Sequence, residues 1–201
     1  MAVREAGAAP RGPSGRDRIL DAAYGLFSRS GVRAIGVDTI TAEADVAKMT
    51  LYRNFASKNE LALAFLALRE ERWTKGWVQA EARNRGETPV QQLLALFDIF
   101  SEWFDREDFE GCAFITSLLE FDELDDPVRR ACIGHLANIR DFLAELAAAA
   151  GVADPERFAA QWQLLLKGAI VSRHEGDRDA ANKARELGEL LLSREGRADF
   201  V

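Results

Sequence analysis

What most limits how this chain can fold is a helix-start phrase that its sequence writes five times. Ser14-Gly-Arg-Asp17 is a Ser-x-x-acid start, and Ser57-Lys-Asn-Glu60 is a capping box. Thr88-Pro89-Val-Gln91 joins an N-cap, a proline at the first helical position and a glutamine at N3. Asp126-Pro127 and Asp154-Pro155 repeat the cap-plus-proline pattern. In each, a side-chain oxygen takes up an amide left unpaired in the first turn, while proline has no amide to leave unpaired.

The apolar spacing after these starts has the helical period. Ile19, Ala22, Ala23, Leu26 and Phe27 form one stripe that ends at Gly31, a residue suited to a left-handed C-cap. After Ser57 the stripe runs through Leu61, Ala64, Phe65, Leu68, Trp73 and Trp77 with no breaker before Gly76, which predicts a long helix. Val90 to Phe104, Val128 to Leu146, Pro155 to Arg173 and Asp177 to Ser193 continue in the same way. No stretch alternates convincingly with period two, so the expected class is all-α, with about nine helices.

Composition removes other classes. With 201 residues, 48% hydrophobic and 29% charged, the chain has the make-up of a globular protein and not of a disordered or fibrous one. Two cysteines, Cys112 and Cys132, make no disulfide framework, and with two histidines, His135 and His174, they form no cluster at zinc-ligand spacing. No metal or cofactor is therefore expected. No run of about 18 uncharged apolar residues and no signal-like N-terminus occurs, so no membrane role and a cytoplasmic location are expected. The net charge of −7 hides a change of sign: up to Lys58 nine Lys or Arg face six acids, a balance of +3, and the remainder carries −10. A basic head on an acidic body points one end toward a polyanion.

That head contains two short helical pieces, Asp38 to Ala44 and Lys48 to Phe55, around a tight turn at Asp45-Val46-Ala47. Ala44 allows close approach, Asp45 tolerates a left-handed backbone, and Ile40, Val46, Leu51 and Phe55 point inward, which reads as a helix-turn-helix. The outer face keeps Lys48, Met49, Thr50, Tyr52, Arg53 and Asn54, followed by Lys58. A recognition helix sets its N-terminal residues against base edges, so Lys48 and Met49 are the expected base contacts. Thr50, Tyr52 and Lys58 are expected on phosphates, and Asn54 suits either role.

Ile19 to Phe27, Gly31, Val37, Ile40, Ala44, Val46, Thr50-Leu51-Tyr52, Phe55, Ser57-Lys58 and Leu61 together closely resemble the N-terminal domain of TetR-type (tetracycline-repressor-like) transcriptional regulators. The resemblance runs from about Ser14 to Trp73. It implies a flexible tail over residues 1–13, a DNA-binding domain over 14–60 with its motif at about 36–55, and a ligand-binding and dimerisation domain over 61–201. It also implies a two-fold homodimer, most simply a repressor, whose heads bind adjacent major grooves of a near-palindromic operator and release it on binding a small effector. Members usually carry Thr-Thr at Ile35-Gly36, Gly at Asp45, Ser at Ala47 and often Gly at Met49, so this chain lacks two hydroxyls and a serine cap. Losing such a cap costs about 1 kcal/mol of helix stability. Asp38 brings a negative charge to the DNA side unless it serves the start of its helix.

In the remainder, the resemblance implies that the last two long helices pair with their symmetry mates and that the helices from about Glu60 to Ala150 enclose a ligand. Phe158, Trp162, Leu165, Leu166 and Ala169, with Ala184, Leu187 and Leu191, are the stripes suited to bundle packing. Each stripe is open to two readings, its own core or a partner. The expected pocket residues are Trp77, Phe97, Phe100, Phe104, Phe114, Ser117, Glu120 and His135, which would suit an apolar or aromatic ligand; ordinary core is the other reading of the aromatic ones. Rival functions have less behind them. The acidic clusters Asp105 to Glu110 and Asp122 to Asp126 show no paired-acid pattern, and no phosphate loop or nucleophile elbow is present, so an enzyme is not expected. A thiol sensor built on Cys112 and Cys132 is the alternative regulator, with Arg129 three residues before Cys132 as its one electrostatic support.

Overall fold

The computed structural model describes residues 12–195, so residues 1–11 of the expected tail lie outside the described residues. The described chain is helical throughout: α1 (Gly15–Ser30), α2 (Val37–Glu43), α3 (Lys48–Asn54), α4 (Lys58–Arg69), a π-helical segment (Glu70–Gln79), α5 (Ala80–Arg85), α6 (Pro89–Asp105), α7 (Ala113–Glu120), α8 (Pro127–Ala149), α9 (Pro155–His174) and α10 (Ala180–Arg194). Because α4, the π-helical segment and α5 follow one another without a break, these are nine rods among the described residues.

Each written start is a formed cap. Ser14 Oγ accepts from the Asp17 amide while Asp17 accepts from the Ser14 amide, and Thr88 and Gln91 make the same reciprocal pair behind Pro89. Asp126 accepts from the amides of Val128 and Arg129, and Asp154 from that of Arg157. At Ser57 the hydroxyl accepts from Glu60 N at 3.1 Å, but the Glu60 carboxylate reaches one residue further back than the usual box, to Ala56 N at 2.7 Å.

The chain divides into two compact units after Phe65, beyond the expected domain end at residue 60. The reason lies in the first turns of α4: Leu61, Ala62 and Phe65 are fully buried, and the Phe65 ring meets Tyr24 and Phe27 of α1 edge-on at 5.7 and 5.5 Å. In this first unit Ile19, Ala23, Phe27, Ile40, Leu51 and Phe55 complete the core. With seven residues, α3 is too short to hold itself in water, so Leu51 and Phe55, at 0% and 1% exposure, anchor it. Asp45 takes the left-handed conformation at φ 50°, and the Arg18 guanidinium donates to its carbonyl at 3.1 Å, which pins the turn to α1.

The second unit packs α8 on α9, α9 on α10, α10 on α6, α5 on α6 and α7 on α8. Its centre is Trp162, fully buried, whose ring lies 5.0 Å from Phe97 and 5.2 Å from Phe158. Gly188 of α10 faces this pair so closely that a Cβ there would stand 2.9 Å from both the Phe97 and Trp162 rings. The π-helical segment, unforeseen in the α-helical stripe through Trp73 and Trp77, turns Glu70, Thr74 and Val78 inward.

Candidate nucleic-acid interface

The anchored α3 helix leaves one side in solvent. Met49 is 67% exposed and Tyr52 47%, so two large apolar side chains stand in water on a short helix whose other face is closed. Lys48, at the first position of α3, extends its ammonium to 2.8 Å from Asp38 Oδ1, and both heads remain largely exposed. The hydrogen bond and charge of Asp38 raise the Lys48 ammonium above its ordinary range, so it is cationic at neutral pH. Asp38 is the second residue of α2, where a negative charge also suits the helix dipole.

The other expected contacts differ among themselves. Thr50 is half-buried, and Gly15 approaches it so closely that a Cβ there would lie 3.1 Å from its methyl group. Asn54 is half-buried and spends its amide on the Thr50 carbonyl at 2.8 Å, inside the same helix. Arg53 is exposed beside Tyr52. Lys58 donates to the Arg33 carbonyl at 3.3 Å and so ties the α1–α2 connection to the start of α4. The expected face therefore separates into an outward group, Lys48, Met49, Tyr52 and Arg53, and a group engaged within the head, Thr50, Asn54 and Lys58. Asp38, the acceptor beside Lys48, belongs with the outward group. Neither Gly36 nor Ala47 caps its helix with a side chain, so the amides at the starts of α2 and α3 have no side-chain partner there.

A small head with one exposed, cation-bearing helix after a tight turn suits a DNA groove, and comparison with known proteins agrees. Residues 19–65 match the family of bacterial regulatory proteins described as the tetR family, and residues 89–187 match the tetracyclin repressor-like C-terminal domain. A TetR-family transcriptional regulator from Streptomyces coelicolor is 30% identical, with 90% of this chain and 95% of that one covered at a TM-score of 0.81. This chain belongs to the TetR family. It is a DNA-binding transcriptional regulator of that family. The HTH-type transcriptional regulator YjdC of Escherichia coli is 25% identical over 178 residues, covering 85% of this chain and 91% of its own. The HTH-type transcriptional repressor KstR of Rhodococcus jostii is 32% identical over 93 residues, 46% of this chain and 42% of its own.

In the C-terminal unit of this TetR-family protein, several expected pocket residues are core. Phe97, Phe100 and Phe104 are at most 5% exposed and packed ring on ring with Trp162, Trp103 and Phe109. Trp77 is half-buried against Trp73 at 5.7 Å. Phe114 stacks on His135 at 4.9 Å, with buried Ser117 on the same helix as Phe114. Glu120 lines a cavity of about 350 Å3 with Cys112, Leu119 and Val171.

The polar group that the α-helical stripe hid is Glu70. Its carboxylate accepts from Asn138 Nδ2 at 2.6 Å and stands 3.2 Å from His135 Nδ1, close but not aligned as a hydrogen bond. Burial pushes this carboxyl up, but Asn138, His135 and Lys75 together outweigh it and hold it below the ordinary carboxylate value. Thr74 Oγ1, buried on the same segment, has no partner.

The expected dimer residues divide between the protomer's interior and its surface. Phe158, Trp162, Leu166, Ala169 and Ala184 are all under about 7% exposed and fill the protomer's own interior, so they offer no surface to a partner. The outward residues are Leu187, which the expected set includes, and Leu164 and Leu190, which it does not, at 52%, 67% and 62% exposed. With half-buried Leu165 and Leu191 they line a groove of about 730 Å3. Both stripes are apolar at helical period, and periodicity alone does not separate inner from outer. Burial raises both cysteine thiols, Cys132 to about 12, so at neutral pH both are protonated and poor nucleophiles. Among the described residues no His/Cys/Asp/Glu group suits a metal, and no helix is long and apolar enough to cross a membrane.

Proposed function

We propose that the protein is a homodimeric repressor that binds a near-palindromic operator with two α3 helices and releases it when a small molecule binds the C-terminal unit. The observation that carries the DNA part is the outward face of α3, with Lys48, Met49 and Tyr52 exposed on a helix fixed by Leu51 and Phe55. Repression, in preference to activation, is supported by the likeness of part of this chain to the KstR repressors. The chain acts in the cytoplasm, where bacterial DNA lies.

A second copy is the occupant proposed for the α9–α10 groove. Exposed leucines at helical spacing on two adjacent helices suit an isologous four-helix contact, and TetR regulators typically dimerise. For the effector, the Phe114–His135 stack beside Glu70 and Asn138 joins an aromatic surface to a charged acceptor. This suits a molecule with an apolar or aromatic body. Release follows only if that molecule binds one head spacing more tightly than the other.

Selection of duplexes from a random pool by the purified protein tests the reading. An inverted repeat with half-sites about one helical turn apart is the expected product. Enrichment of no sequence, or of a single unrepeated site, contradicts it.

A further inference from the structure

The Asp38–Lys48 pair is not explained by what holds the head together. The two side chains are 83% and 55% exposed, and exposed ion pairs contribute little to stability. Nor does α2 need the pair to start, since a carboxylate at its second position serves the helix dipole unaided. What the pair does is fix a donor and an acceptor 2.8 Å apart, next to the exposed Met49 on the outward side of α3.

That spacing matches the major-groove edge of a base pair. In a G·C pair the guanine O6 accepts and the cytosine N4 donates; in a T·A pair the thymine O4 accepts and the adenine N6 donates. In each, the two atoms are hydrogen-bonded to one another, so they lie about 2.9 Å apart. A donor and an acceptor 2.8 Å apart close a four-membered ring of contacts on such an edge. Lys48 donates to the keto oxygen, and the amino group opposite donates to Asp38.

Resting on the DNA-binding reading above, we propose that Asp38 and Lys48 read one base pair as a unit, admitting only the orientation that sets the keto base under Lys48 and the amino base under Asp38. Lysine alone has no such filter, because it donates to guanine O6 and N7, adenine N7 or thymine O4 alike. The filter is the carboxylate, which accepts and does not donate. A reversed pair, C·G or A·T, sets an amino group against the ammonium and a keto oxygen against the carboxylate, and both contacts become repulsive. Between the two admitted pairs guanine ranks first, because its N7 offers the ammonium a second acceptor where thymine has a methyl group.

The test uses the full chain and the same duplex selection, run with wild type, Asp38→Ala, Asp38→Asn and Lys48→Ala. Circular dichroism checks that each variant is folded. Wild type is expected to show one position per half-site where the keto base is favoured over the reversed pair by about tenfold, the scale of one good paired contact. Asp38→Ala and Asp38→Asn are expected to flatten that position to under about threefold, since a methyl group is no filter and an amide both donates and accepts. Their preferences at the other positions hold, because Asp38 contacts only this base pair in the proposal. Lys48→Ala flattens the same position and weakens binding. If both Asp38 variants keep the wild-type preference at every position, or change all positions alike, the paired reading is overturned while the DNA-binding reading stands. If wild type selects no sequence, the DNA-binding reading fails and takes this one with it.

Discussion

Replacing Leu187 and Leu190 together by alanine removes two exposed leucines of α10 and almost nothing from the core of the second unit. Leu187 is 52% and Leu190 62% exposed, so roughly half or more of each side chain's apolar surface is still available for burial against a partner. Full burial of a leucine stabilises by about 2 kcal/mol, which leaves about 1.1 kcal/mol for each side chain to contribute on association. A two-fold interface contains each residue twice. Four truncated side chains therefore remove about 4 kcal/mol, close to a thousandfold in the dimer dissociation constant. The protomer itself should change by no more than about 0.5 kcal/mol, the usual range for surface substitutions. Sedimentation equilibrium over a wide concentration range reads the first quantity, and denaturant unfolding of the dilute monomer reads the second. A double variant that dimerises as tightly as wild type would refute the assignment of α9 and α10 as the self-association face.

Other expectations follow from single positions. Gly188→Ala sets a methyl carbon 2.9 Å from the Phe97 and Trp162 rings, so the second unit should lose about 1–3 kcal/mol by overpacking, measured by urea unfolding. The Glu70 carboxyl is held below its usual value in the folded chain, so it contributes stability that is present above about pH 4.3 and lost as pH falls through its folded value. Glu70→Gln removes that component, and its stability should fall less steeply than that of wild type in acid unfolding below about pH 4.3; an identical acid slope would count against it. Thr88→Ala breaks the reciprocal cap of α6 and should lower the melting midpoint in line with about 1 kcal/mol.

Capping chemistry made much of the fold legible in the sequence, because a cap is a local bond between residues two to four apart. Ser14, Ser57, Thr88, Asp126 and Asp154 all make one. The left-handed turn at Asp45 was legible for the same reason. What escaped depends on the third dimension. On α9, Trp162 and Leu164 belong to two neighbouring apolar stripes, and which one faces inward is set by packing against other helices, α8 and α10 among them. Glu70 escaped because a π-helical register brings it inward among residues whose α-helical stripe passes through Trp73 and Trp77. On the DNA side, Asp38 stood out as a charge of unwelcome sign. Its pairing with Lys48 requires side chains from two helices to converge, which no spacing rule along one helix describes.

If the exposed face of α3 is what touches DNA, Tyr52 is the residue to change, because it is exposed and its loss leaves Leu51 and Phe55 in place. The measurement is fluorescence anisotropy of a selected duplex titrated with wild type and with Tyr52→Ala at matched salt. Binding is expected to be at least tenfold weaker for the variant on every duplex, with unchanged helicity. Equal affinity for the two proteins would contradict it.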